Sequence, residues 1–188
     1  MKMKRKKIAW VWLPVALVAL LGFNGLSFGD ASLTAYGDAE HNPYIPPAWS
    51  QILKASKRFV LVMKNEAVLD KETGLVWEKS PDTTTRVWAN AISYAYSKNV
   101  GGRGGWRLPT VEELRSLIDP TQSNPALPSG HPFTNVQSDY WSSTNYVHDA
   151  SLAWVVRFGD GFVYGAGKSN VGGNYAWCVR GGHGYDAP

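Results

Sequence analysis

Apolar positions along the chain change period several times. Residues 8–23 are a continuous apolar run of 16 residues behind a basic cluster. Residues 59–63 are a compact, β-favouring run, and residues 67–69 and 75–77 flank Asp70, Lys71, Glu72, Thr73 and Gly74. That pattern predicts strands joined by turns, with Gly74 taking the positive φ of a bulged hairpin. From Thr85 the period lengthens: Trp88, Ala91, Ile92, Ala95 and Tyr96 fall at i, i+3, i+4, i+7 and i+8. One apolar stripe on a helix follows, ending before the glycines of 101–105. Thr110 and Glu113 have the spacing of a capping box, and Val111, Leu114, Leu117 and Ile118 face one side of a second helix that Asp119 and Pro120 stop.

Residues 120–135 carry Pro125, Pro128, Gly130 and Pro132 and predict a long irregular connection, either functional or poorly ordered. Strand signals return at 140–144, 153–158, 162–164 and 175–179, with a tight turn at Asp160 and Gly161, and predict a closing antiparallel sheet. Strands first, two helices in the middle and strands last indicate an α+β fold rather than an alternating parallel one.

Charge changes the picture only once it is divided. The formal net charge is +4, yet Lys2, Lys4, Arg5, Lys6 and Lys7 are five of the 19 Lys plus Arg, and all 15 acidic residues lie at Asp30 or later. The remainder carries 14 − 15 = −1. A basic cluster followed by 16 apolar residues has the n-region and h-region of an export signal and is shorter than the ~20 residues of a membrane span. Ser27 and Gly29 suit a cut before Asp30, so residues 1–29 are expected to be a signal peptide, with an uncleaved N-terminal anchor as the alternative. No nucleic-acid partner is expected, and membrane contact is expected only through an uncleaved N-terminus. Residues 30–57, rich in proline and small polar residues, predict a spacer, with a short helix suggested by the spacing of Trp49, Ile52, Leu53 and Ser56. One domain of residues 58–182 and a tail at 183–188 complete the organisation. Cys178 is the only cysteine, so an exported chain has no internal disulfide and its core rests on apolar burial, to which the tryptophans contribute heavily. Cys178 itself is expected to be a small buried hydrophobe, and Trp106 and Trp141 to be core residues.

Three strings are distinctive together: Gly105 to Thr110, Tyr140 to Thr144, and Trp177 to Gly182. With Arg58, Phe59 and the stretch Asp70 to Trp77, they occur in an order and spacing that resembles the Lcl C-terminal domain family, named after the collagen-like adhesin of Legionella. The resemblance spans roughly residues 58–182. It implies a C-type-lectin-like fold of antiparallel sheets, two helices and long loops, related to the formylglycine-generating enzyme and to the variable proteins of diversity-generating retroelements. It further implies a bacterial envelope or surface location and an adhesin-like role, the named adhesin binding sulfated glycosaminoglycans. The chain contains no Gly-X-Y collagen repeat, so presentation on a trimeric stalk does not transfer.

Catalytic alternatives are weak. Gly167, Lys168 and Ser169 imitate the end of a phosphate-binding loop, but Phe162 stands where the earlier glycine belongs. His41, His131, His148 and His183 are too scattered for a ligand set, and Glu112 and Glu113 are explained by the helix start. The lectin calcium tripeptides Glu-Pro-Asn, Gln-Pro-Asp and Trp-Asn-Asp are absent. Cysteine oxidation of the formylglycine-generating type depends on a pair of cysteines, and this chain has one. No enzyme activity, cofactor or metal is therefore expected, and the function expected is an exported binding module for an extracellular glycan or protein. The alternatives are a diversified protein-binding receptor of a retroelement, which a near-copy of the 3′ coding end beside a reverse-transcriptase gene would decide, and an enzyme of the formylglycine-generating fold without its cysteine pair. The expected ligand surface is Asn145, Tyr146, His148, Asp149, Arg157, Tyr164, Lys168, Asn170, Asn174 and Tyr175, where polar groups alternate with aromatics and Arg157 and Lys168 are available to anions.

Overall fold

A computed structural model describes residues 53–181. The expectations for the signal peptide, for residues 30–52 of the spacer, for Trp49 and Ile52 and for the tail lie outside the described residues.

Two antiparallel sheets carry the fold, as the strand-helix-strand order predicts. Strands β1 (Phe59–Val62), β2 (Ala67–Asp70) and β3 (Leu75–Glu78) form a meander, and β7 (Val179–Gly181) joins it in the order β1-β2-β3-β7. Strands β4 (Asp139–Asn145), β5 (Leu152–Arg157) and β6 (Val163–Gly167) form the second sheet in that order. Among the described residues three α-helices accompany them: α1 (Ala55–Arg58), α2 (Trp88–Ser97) and α3 (Val111–Arg115). Gly74 closes the β2–β3 turn at φ 71°, the left-handed region where a β-carbon is costly. The Thr110–Glu113 capping box forms as predicted: the Glu113 amide donates to the Thr110 hydroxyl at 3.2 Å and the Thr110 amide to the Glu113 carboxylate at 2.8 Å.

Four expectations change. The final strand does not close the second sheet, because β7 pairs with β3. Residues 175–178 alternate like a strand, Tyr175 and Trp177 facing one core and Ala176 and Cys178 the other. Their backbone nevertheless bridges the sheets, the Tyr175 amide donating to Asp139 and its carbonyl accepting from Trp141 before the chain reaches β3. The loop at 120–135 is packed rather than loose: Ala126, Leu127 and Phe133 are buried, and the Ala126 amide bonds the Phe158 carbonyl. The second helix ends at Arg115, although Leu117 and Ile118 still reach the core through the following turn. Ala55, within the expected spacer, is buried in the core.

Each sheet is covered on both faces. One cluster joins Phe59, Val68, Trp77, Leu114, Leu127, Tyr140, Trp154 and Val156 around Trp177. Trp177 meets Phe133, Tyr140 and Phe158 at centroid distances of 5.0, 5.2 and 5.2 Å, and its indole donates to the Glu78 carbonyl at 2.8 Å. The other cluster packs Ala91 and Ala95 of α2 against Val76, Trp106, Trp141, Val155 and Cys178. Trp106, Trp141 and Cys178 are buried as expected, and both indoles find backbone carbonyls, of Arg103 and Arg86 respectively. A buried ion pair links the layers: Arg58 donates to Asp70 at 2.9 and 2.7 Å and to the Ser116 carbonyl at 2.7 Å, both side chains fully buried.

Candidate functional site

The first end of β5 carries the loops of interest. Leu152 pairs with Gly167, so the loop before β5, residues 146–151, and the loop after β6, residues 168–174, start side by side. Lys168 locks them together. Its ammonium donates to the Asn145 side-chain carbonyl and to the Ala150 backbone carbonyl, both at 2.6 Å, and lies 4.4 Å from the centroid of the Trp88 ring. Trp88 is the first residue of α2; its amide donates to the Lys168 carbonyl and its indole to the Ser142 carbonyl. Helix α2 is thereby tied to both loops and to β4.

Tyr146 sits on the opposite face of the sheet. Its ring packs 4.6 Å from Trp154 and 5.8 Å from His148. Gly165 makes this seat possible, because a β-carbon there would come within 3.0 Å of the Tyr146 ring. Asp149 shapes its loop by accepting from the amide and hydroxyl of Ser151, bonds that hold its carboxyl below the usual range. Asn170 accepts from the Gly172 amide in the same way. His148, Asp149 and Asn170 are exposed, as are Val147 at 70 % and Val171 at 90 %.

Six of the ten expected residues thus meet at one end of the sheet: Asn145, Tyr146, His148, Asp149, Lys168 and Asn170. Arg157 stands at the other end of β5, about 17 Å away along a six-residue strand. It is held by Asp160 at 2.9 and 2.6 Å, which raises its own pKa and lowers that of Asp160, and it lies over Phe162. Arg157 and Lys168 therefore do not converge on one anion. Tyr164 points its hydroxyl to Asp139 at 3.0 Å, and burial followed by that carboxylate pushes its pKa up strongly. Asn174 is buried with its backbone paired to Arg86, and Tyr175 packs against the core near Tyr140. Asn174 and Tyr175 thus pack into the framework, while Arg157 and Tyr164 lie apart from the loop pair.

Sequence reasoning missed two contributors. Trp88 counted only as the start of an apolar stripe, and Gly165 had no local signal, since its partner lies 19 positions away (165 − 146). Cys178 is remote from the loops; burial, then the Glu78 carboxylate, pushes its thiol far above the ordinary range. Among the described residues no group of three or more His, Cys, Asp or Glu could hold a metal ion, and no helix is long and apolar enough to cross a membrane.

Fold and loops define a small α+β domain of two antiparallel sheets that presents an internally braced loop pair at one sheet end. Residues 66–180 match the family described as the Lcl C-terminal domain, and the chain belongs to that family. A comparison with curated proteins finds no match. Helix α1 and strand β1 precede the matched span yet share its core through Ala55 and Phe59.

Proposed function

We propose that this chain is an exported, noncatalytic, adhesin-like domain that takes an extracellular ligand on the loops at 145–151 and 168–174. The observation that carries the reading is the Lys168 brace. An ammonium hydrogen-bonded to two neutral oxygens fixes two loops in one geometry, and among the described residues no carboxylate lies within 4.0 Å of it, although Asp149 is near enough to feel its charge. Family membership supports the adhesin-like role. The buried, hard-to-ionise Cys178 supports the noncatalytic reading, since a thiolate is the reactive form.

Two ligand classes fit different parts of this surface. A sulfated or otherwise anionic glycan suits Lys168, in keeping with the resemblance to the named adhesin. A protein suits the exposed Val147 and Val171, because the aromatic rings nearby are already engaged: Tyr146 against Trp154 and Gly165, Trp88 beneath Lys168. Rings so occupied offer little stacking surface to a sugar.

A glycan array run beside a pull-down with the secreted protein identifies the ligand, and two variants then assign it. For a sulfated polysaccharide, Lys168→Met should weaken binding and affinity should fall steeply with salt. For a protein, Val147→Asp with Val171→Asp should abolish binding, with little salt dependence. Wild-type binding by both variants, each melting cooperatively, would refute this site.

A further inference from the structure

The start of α2 holds the loop at 168–174 by both of its ends. The Trp88 amide donates to the Lys168 carbonyl, and two residues earlier Arg86 exchanges both backbone bonds with Asn174. Gly173 lies so close to Arg86 that a β-carbon there would come within 2.6 Å of the Arg86 carbonyl oxygen.

The far end of α2 is fastened by a charge cluster. Lys98, just past the helix, meets the Glu78 carboxylate of β3 at 2.6 Å and also donates to the Tyr94 hydroxyl. The Tyr94 ring centroid lies 4.6 Å from the Lys98 ammonium and 3.8 Å from the Arg86 guanidinium, and Arg86 donates in turn to Asp82 at 2.6 Å. Loop clamp and charge cluster are thus the two ends of one ten-residue helix, about 15 Å apart.

Within the cluster Glu78 is the group that burial makes responsive to pH. Its side chain is 5 % exposed, against 18 % for Lys98. Desolvation outweighs the attraction of Lys98 and the bonds from Cys178, and raises the carboxyl pKa. The other titratable groups that face it do not change charge between mild acid and neutrality. Lys98 and Tyr94 are raised from values already alkaline, burial keeps the Cys178 thiol and the Tyr140 hydroxyl protonated, and Asp82, bonded to Arg86, is held at about 2.

We propose that proton uptake at Glu78 tightens the loop pair, with α2 as the connecting element. Releasing the loop lifts Arg86 and Trp88, and lifting them tilts the helix and hydrates Glu78 at its other end. A hydrated carboxylate ionises more readily than a buried one, so ionisation favours the open form and protonation the docked one. The contribution of Glu78 to docking is therefore fully present below its ordinary value and is lost as pH rises through its raised one. This regulation rests on the loops being the binding site proposed above, yet it is read without a ligand.

Amide exchange of Trp88 and Lys168, each divided by its intrinsic rate, tests this on the intact chain carrying His148→Gln, which removes the imidazole of the loop pair. Protection should rise about threefold to fivefold between about pH 8 and about pH 4, the scale of one partly exposed charge interaction. Adding Glu78→Gln should give the higher protection throughout. Adding Lys98→Met should move the rise to higher pH, because the carboxylate loses the cation that favours its ionisation. An equal rise in the Glu78→Gln protein, no rise in its parent, or a Lys98→Met midpoint at or below that of the parent would overturn the proposal. Exchange and ligand capture are separate measurements, so failure of the binding site and failure of the coupling are told apart.

Discussion

Replacing Arg58 by methionine should be one of the most damaging single changes in this domain. The guanidinium is fully buried and makes two bonds to Asp70 and one to the Ser116 carbonyl. Methionine fills much of the same volume and returns none of the bonds. Asp70, also fully buried, would keep only the Glu72 amide at 3.0 Å, and the Ser116 carbonyl would lose its charged donor. Removing one partner of a buried pair typically costs about 3–5 kcal/mol, because the charge left behind is neither paired nor hydrated. For the 129 residues described (181 − 53 + 1), each kcal/mol corresponds to roughly 3–5 °C of melting temperature, so the expected drop is about 10–20 °C. Urea unfolding followed by tryptophan fluorescence gives the free energy, and Arg58→Met/Asp70→Asn closes the cycle. The double variant should recover a substantial part of the loss, since it removes the orphaned carboxylate. An Arg58→Met cost below about 1 kcal/mol, or a double variant as unstable as the sum of the singles, would refute the argument that this pair fastens β1 and β2 to the turn after α3.

Three further outcomes are expected. Trp141→Ala should cost roughly 3–5 kcal/mol, because the ring is fully buried and its indole bonds the Arg86 carbonyl; an unchanged melting curve would overturn its core role. Gly165→Ala should destabilise by about 1–3 kcal/mol and raise amide exchange at 146–151 by forcing Tyr146 off its seat, and unaltered exchange there would show that the loop does not depend on the notch. Burial alone would raise the Asp82 carboxyl, but hydrogen bonds from Arg86 and Thr84 outweigh it and hold its pKa at about 2. That folded value lies below the unfolded one, so the stabilisation is present above about pH 4 and is lost as pH falls toward 2. Asp82→Asn should flatten that acid limb, measured as unfolding free energy against pH, and an identical limb would remove Asp82 from the account.

What the sequence revealed was local. The Thr110–Glu113 cap and the Gly74 turn each depend on residues within a few positions and appear in the structure, whereas the stripe along α2 appears only through Trp88, Ala91, Ile92 and Ala95: Tyr96 is 70 % exposed and Tyr94 packs instead. Burial of Trp106, Trp141 and Cys178 followed from side-chain chemistry. The partner of β7 was hidden, because alternation at 175–179 states which way side chains point but not which backbone lies alongside. Residues Ala126, Leu127 and Phe133 were hidden for a different reason: set among prolines, they have no period to mark them as core. For the site, Asn145 and Lys168 read in the sequence only as polar residues among aromatics, and their meeting depends on the β5–β6 register. Arg157, at the far end of β5, shares an exposed ion pair with Asp160 three residues on in the same turn, a pairing that the sequence spacing allows but does not mark.

Strand β7 runs antiparallel to β3, as β2 does, so β1 starts and β7 ends at the same end of the first sheet. Three inter-strand spacings, about 14 Å, separate the start of β1, just after α1, from the end of β7. Both attachments to whatever lies before and after thus belong to one sheet, and the other sheet carries neither. The loops at 145–151 and 168–174 can lengthen, shorten or change their residues without moving the two points by which the domain is joined to the rest of its chain. Architecturally it is a plug with its wires on one side, a form suited to exchange between proteins as well as to variation within one.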